Sequence, residues 1–101
     1  MSGGSDYAGK PRPVVIVQDN RFNDVESVTF IAFTSNLMNA PLTRLNVEPS
    51  AINGLMKECQ MMIDKVSTAP QTKLGKVIGN LSNEDVIRMN RALLVYLGLA
   101  G

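Results

Sequence analysis

Val28-Thr29-Phe30-Ile31-Ala32-Phe33-Thr34 is the stretch on which the fold turns. It is rich in β-branched and aromatic residues, which fit a pleated, packed surface. Strand alternation sets Val28, Phe30 and Ala32 on one face and Ile31 and Phe33 on the other, so both faces are expected to be buried. Upstream, Val14-Val15-Ile16-Val17 is a second β-branched run with Pro13 just ahead of it, a position where the missing backbone donor is tolerated. Between the two, Asp19-Asn20-Arg21-Phe22-Asn23-Asp24 reads as a polar connection with room for a helical turn. Gly3, Gly4, Gly9, Pro11 and Pro13 crowd residues 1–13, which therefore read as an exposed loop.

Downstream, after a turn over Asn36 to Pro41, Thr43-Arg44-Leu45-Asn46-Val47-Glu48 alternates strictly. It reads as a half-buried strand with Leu45 and Val47 inward and Arg44, Asn46 and Glu48 toward water. Pro49 to Leu55 is a connection. Cys59-Gln60-Met61-Met62-Ile63-Asp64-Lys65-Val66 reads as a strand, although its methionines would also suit a helix, and Lys76-Val77-Ile78-Gly79 as a short last strand. Ser82 is a good N-cap with Glu84 and Asp85 in the first turn behind it. Val86, Ile87, Met89, Leu93, Leu94 and Leu97 then recur at helical spacing until Gly98 ends the run. Short strands followed by a C-terminal helix predict a mostly β protein: a small antiparallel β-barrel or strongly bent sheet closed by that helix. The helix is apolar over a wider arc than one sheet face requires, which points either to a dimer partner or to a densely packed monomer core.

The 101 residues suit a single domain spanning 1–101. With 45% hydrophobic and 19% charged residues the composition is globular rather than disordered. A net charge of +1 provides no global field toward nucleic acid, so such binding would need a local patch. Histidine is absent and Cys59 is the lone cysteine, which removes His-based zinc sites, Cys/His clusters and Ser-His-Asp triads. A lone cysteine forms no internal disulfide and fits a reducing cytosol, with Cys59 expected as a small core residue. The opening residues carry no signal-peptide pattern, and the longest apolar run, Ala92 to Leu97, is far short of the roughly 20 residues that span a bilayer. A cytoplasmic protein with no membrane partner is expected.

Asp6-Tyr7-Ala8-Gly9-Lys10-Pro11-Arg12-Pro13 places an acid, an aromatic and two cations in a loop leading into a buried strand, and loops anchored on rigid strands are where sites sit. Arg12 lies between two prolines that stiffen its backbone and can hold its guanidinium in one place. Taken alone, it reads more readily as an ordinary surface arginine. Thr34-Ser35-Asn36 ends the long strand with three hydrogen-bonding side chains suited to phosphate oxygens; taken alone, it reads more readily as a turn.

The segments Lys10-Pro11-Arg12-Pro13-Val14-Val15-Ile16-Val17, Phe33-Thr34-Ser35-Asn36-Leu37 with Ala40-Pro41-Leu42, Met62-Ile63-Asp64-Lys65-Val66-Ser67-Thr68, Lys73-Leu74-Gly75 with Ile78-Gly79-Asn80-Leu81-Ser82, and Asn90-Arg91-Ala92-Leu93-Leu94-Val95-Tyr96-Leu97-Gly98-Leu99 carry the weight together. In order and spacing they resemble the MazF/PemK family of toxin endoribonucleases over nearly the full chain. The resemblance implies an SH3-like antiparallel barrel, a homodimer, cleavage of single-stranded RNA at short sequences, and inhibition by a cognate antitoxin protein. Carried over by position, Arg12 matches the arginine of the family's "RP" motif and Thr34 the threonine that helps hold the scissile phosphate. Asp6 falls where many members have a glutamate, and it joins them as a catalytic candidate. The implied reaction is attack of a ribose 2′-OH on the adjacent phosphate, with no metal and no cofactor. A guanidinium hardly deprotonates, so Arg12 is expected to stabilise charge rather than act as a base. Lys10, Ser35, Lys65 and Lys73 are the candidates for RNA contacts.

Members of the family begin with a strand of the type "RGDIW" that finds no counterpart ahead of residue 10 here. An uncovered sheet edge is therefore expected, with lower stability and activity as its consequence. Two rival readings are a gyrase-poisoning toxin like CcdB on a similar fold, and a truncated, inactive member that only binds antitoxin. Arg12 and Thr34 favour the nuclease.

Overall fold

The structure is a computed structural model that describes the backbone of residues 2–7, 10–17 and 26–99 and, from residue 12 onward, their side chains. Strands β1 (Ser2–Tyr7), β2 (Lys10–Ile16), β3 (Ser27–Thr34), β4 (Arg44–Val47), β5 (Cys59–Met62), β6 (Ser67–Pro70) and β7 (Leu74–Gly79) precede helix α1 (Asn83–Tyr96). They form a seven-stranded sheet in the order β4-β5-β3-β2-β1-β7, with β6 also on β3. Every pairing is antiparallel, so the expected class, a bent antiparallel β structure with a C-terminal helix, is the observed one.

The β3 strand holds this sheet together, and its two apolar faces explain how. Val28, Phe30, Ile31 and Phe33 are all buried. One edge pairs β2 from Val14–Ala32 to Ile16–Phe30, while the other pairs β6 over residues 27–30 and then β5 at Phe33 and Thr34. The segment expected as one strand over Cys59–Val66 is broken by a 3₁₀ turn at Ile63–Lys65 between β5 and β6. Ile63 is fully buried there and its N–H bonds the Thr43 carbonyl, so the turn is where the chain bends around the core. The last strand begins at Leu74, two residues before the expected start. The polar connection Asp19–Asp24 lies outside the described residues.

Two expectations at the N-terminal end are corrected. Residues 2–7 are not loop but strand, and β2 begins at Lys10 rather than Val14. A strand does precede β2, and the edge expected to be bare is covered: β1 lies between β2, paired from Ser2–Val15 to Tyr7–Lys10, and β7, paired with irregular register at Ser2, Gly3 and Ser5. Ser-Gly-Gly-Ser-Asp-Tyr has little strand propensity of its own. Its conformation is set by two flanking ladders, a case of tertiary context overriding local preference.

The core joins Val15, Ile31, Phe33, Val47, Leu55, Cys59, Met61, Ile63, Leu81 and Met89. Cys59 is buried in it, as expected, and desolvation pushes its thiol pKa up. Arg44 was expected to face water; instead its side chain is largely covered and pairs with Asp64 on the 3₁₀ turn. A strand this short lies close enough to that turn for the long side chain to lie across it. Helix α1 begins as read: Ser82 Oγ accepts from Asp85 N at 3.1 Å, and Gly98 closes it at φ +74°. It docks on β4 and the 3₁₀ turn through Met89, with Val86, Ala92 and Leu93 partly buried. Arg88 donates to the Asn46 carbonyl and Tyr96 to the Asp64 carbonyl.

Candidate functional site

Beyond the described β2–β3 pairing, the same antiparallel register carried two residues further sets Arg12 opposite Thr34. An open cleft of about 610 Å³ lies there, lined by Arg12, Pro13, Phe33, Thr34, Ser35, Gly54, Leu55, Met56, Lys57, Cys59 and Ile78. Pro11 and Pro13 explain its position. Neither has an N–H to donate, so β2 cannot ladder fully on both edges over this stretch. It stays in register with β1, and its strand partner on the other side begins only at Val14.

Three residues singled out in the sequence therefore meet in one place. Arg12 is exposed on β2. Thr34 is half-buried at the end of β3, where its Oγ1 accepts from Asn36 N at 3.1 Å. That bond fills one lone pair and leaves the hydroxyl proton free to donate to an anion. Ser35 follows, exposed. A guanidinium and adjacent hydroxyls around an apolar floor of Phe33, Leu55 and Ile78 make a site for an anionic group joined to an apolar one. The remaining candidates are not in this group. Lys65 is exposed on the 3₁₀ turn at Ile63–Lys65 and Lys73 on another at Gln71–Lys73, both away from the cleft lining. The side chains of Asp6 and Lys10 lie outside the described ones; by backbone register Asp6 pairs with Pro11, one step from the Ser5–Arg12 pair.

The sequence reading missed Met56 and Lys57, which reach the cleft from the loop between β4 and β5. Only Asn53-Gly54, a turn signal, could have marked that loop, and it says nothing of where the turn lands. Asn53 is buried and bonds on every side: its Oδ1 accepts from Ser50 N and Leu55 N, and its Nδ2 donates to the Glu48 carbonyl at 2.8 Å. Gly54 then takes φ +70°, and the loop is tied to the end of β7 by Asn80 N, the residue after the strand, donating to the Ile52 carbonyl. Cys59 also lines the cleft, but burial raises its thiol pKa, outweighing the lowering effect of Lys57, and its Sγ donates to the Lys57 carbonyl. A thiol held in its protonated form by burial lacks the activation that reactive cysteines have. Among the described residues, no three His, Cys, Asp or Glu side chains group as a metal site.

Residues 2–97 match the family of PemK-like, MazF-like toxins of type II toxin-antitoxin systems. The chain is 48% identical over 95 residues to a probable endoribonuclease MazF of Mycolicibacterium smegmatis, covering 94% of this chain and 87% of the relative. Among solved structures it superposes on the Mycobacterium tuberculosis toxin MazF-mt6 with a TM-score of 0.83 at 23% identity, over 96% of this chain and 95% of that one. It superposes equally well, at 0.83 and 24% identity, on a mycobacterial endoribonuclease in complex with its cognate antitoxin, over 99% and 93% of the two chains. At these identities the structural likenesses establish the fold.

Proposed function

Since the chain belongs to the family of PemK-like, MazF-like toxins of type II toxin-antitoxin systems, we propose that its cleft cuts single-stranded RNA by attack of a ribose 2′-OH on the adjacent phosphate. The observation that carries this reading is the convergence of Arg12, Thr34 and Ser35 on one cleft. The 2′-oxygen bonds to phosphorus and the bond to the 5′-oxygen breaks, giving a 2′,3′-cyclic phosphate and a 5′-OH. The phosphoryl oxygens gain charge along this path. Arg12 neutralises that charge with a fixed fork of donors, and Thr34 and Ser35 each donate a hydroxyl hydrogen bond. The proton lost from the 2′-OH goes to solvent water, and the departing 5′-oxygen takes one up as it becomes a 5′-OH. The scheme requires no metal ion.

The test is to incubate the purified protein with a long unstructured RNA, with and without EDTA. Fragments ending in a cyclic phosphate in both tubes support the reading, and intact RNA overturns it. Intact RNA with inhibited gyrase would instead favour the CcdB-like reading.

Two partners complete the proposal. Helix α1 and its C-cap Leu97 leave Ile87, Leu94, Val95 and Leu97 between 43% and 58% exposed, and Met89 is the helix's one buried residue among those described. The surplus apolar arc is thus not consumed by the core, and a second copy of the chain is proposed to cover it. A cognate antitoxin is proposed to hold the toxin in check; a structurally similar mycobacterial endoribonuclease is found in complex with its cognate antitoxin. No helix of the described residues is long and apolar enough to cross a membrane, and the substrate proposed here places the protein's action in the cytoplasm.

A further inference from the structure

Met56 is 96% exposed, an extreme value for a methionine, and it sits on a loop that is held rather than loose. The Asn53 bonds fix the loop from within, and Gly54 fits so tightly that a Cβ there would meet the Ile78 carbonyl oxygen at 2.2 Å. A lone exposed apolar side chain is ordinary on a protein surface. This one lines the cleft that holds Arg12 and Thr34, together with its neighbour Lys57 and the apolar Phe33, Leu55 and Ile78. A nucleotide is an anion tethered to a flat π surface, and sites for single strands pair cations for the backbone with surfaces on which bases lie. The thioether is unbranched and polarisable, and it packs well against π faces of varied outline.

We propose that the Gly54–Lys57 loop is the base-reading wall of the cleft. Met56 packs on the face of an unpaired nucleobase beside the scissile phosphate, and Lys57 pairs with a neighbouring backbone phosphate. This deepens the RNA-cleaving reading and rests on it. The wall makes Met56 a specificity-determining contact: it touches the base and takes no part in bond making.

The test uses short single-stranded RNAs with one cleavage site and compares the parent, Met56→Ser, Lys57→Gln, Arg12→Ala and Val77→Ser. Val77 is 72% exposed on β7, outside the cleft lining, and serves as the control for losing a surface apolar group. Met56→Ser should raise KM by roughly threefold to tenfold, the scale of a lost sulfur–π contact, with kcat within about twofold and an unchanged Tm. Replacing the contacted base by an abasic position should raise the parent's KM and erase the difference between parent and Met56→Ser. Lys57→Gln should reduce the slope of log KM against log salt by about 0.7, the share of one single-strand phosphate. The wall is overturned if Met56→Ser behaves like Val77→Ser while the parent cuts and Arg12→Ala does not. It is equally overturned if the Met56→Ser defect survives abasic substitution at every flanking position, as it would if Met56 served an antitoxin segment instead. A parent that leaves every RNA intact defeats the cleavage reading itself, and the wall with it.

Discussion

Gly54→Ala tests how firmly the 50–57 loop must be seated on β7 for the cleft to exist. At φ +70° the residue is in the left-handed region, which alone costs an L-residue about 1–2 kcal/mol. The added methyl would also lie 2.2 Å from the Ile78 carbonyl oxygen and 2.9 Å from its carbon, and both are backbone, so no side chain can swing aside. Gly98 is the internal reference: it has φ +74°, and a Cβ added there would meet nothing within 4 Å, so Gly98→Ala carries the conformational cost without the collision. At roughly 4–8 °C per kcal/mol for a domain of this size, Gly98→Ala should lower Tm by about 4–15 °C. Gly54→Ala should lose at least about 4–8 °C more, because relieving the collision means lifting the loop and with it the Asn80 to Ile52 bond. Circular dichroism melts at one fixed protein concentration measure both variants without interference from self-association. Single-turnover RNA cleavage below the melts should fall for Gly54→Ala only. Equal losses of Tm in the two variants, or full cleavage by Gly54→Ala, would refute the claim that this contact builds the cleft wall.

Arg12→Ala should lower cleavage about 10²-fold or more, the scale of losing one preorganised charge-stabilising donor, with the melt unchanged; a rate within about threefold of the parent would remove Arg12 from the mechanism. Thr34→Val keeps the strand-forming shape and deletes the donor, so it should slow cleavage, and an unchanged rate would transfer the role to Ser35. Leu94→Glu sets a charge in the middle of the exposed α1 face and should turn a species of twice the chain mass into monomer by light scattering, because an unpaired charge buried at an interface costs several kcal/mol; a parent already monomeric at micromolar concentration would refute the dimer. Cys59 gives a pH prediction. Its folded thiol pKa is raised, so above the ordinary value of 9.0 the unfolded chain loses the proton first and stability falls as pH rises. Cys59→Ala should flatten that alkaline decline in Tm, and an identical decline in both proteins would show that the thiol does not titrate differently on folding.

The middle and end of the fold were legible in the sequence because their signals are local. The double-faced run at Val28–Thr34 has a central strand's pattern, and Ser82 and Gly98 mark the two ends of α1. What escaped was set by distant partners. Ser2–Tyr7 carries almost no propensity and becomes a strand because β2 and β7 flank it. The 59–66 run holds no glycine or proline to mark a turn, and its break at Ile63 answers to the Thr43 carbonyl and the bend of the sheet. Arg44 obeys alternation in sequence, yet its charge is answered by Asp64 across the core edge. The site was legible in the same uneven way. Arg12 and Thr34 stand in suggestive surroundings, whereas Met56 and Lys57 enter only because Asn53 and Gly54 fold their loop back over β7.

These uneven signals converge on one physical cause. A β2 strand with two prolines cannot give every backbone donor to two neighbours, and the side that goes without is the side toward β3. The unpaired stretch puts Arg12 and Thr34 across a gap instead of a ladder, so the cleft is an outcome of the proline pattern before it is an outcome of Arg12. It also explains why β1 matters to function despite its weak sequence. With β3 no longer paired beyond Val14, the register from Ser5 to Arg12 and from Gly4 to Pro13 is the described strand pairing that holds this end of β2 in place. The glycine- and serine-rich strand is therefore part of what fixes the guanidinium, though the sequence alone gives it the look of a loose terminus.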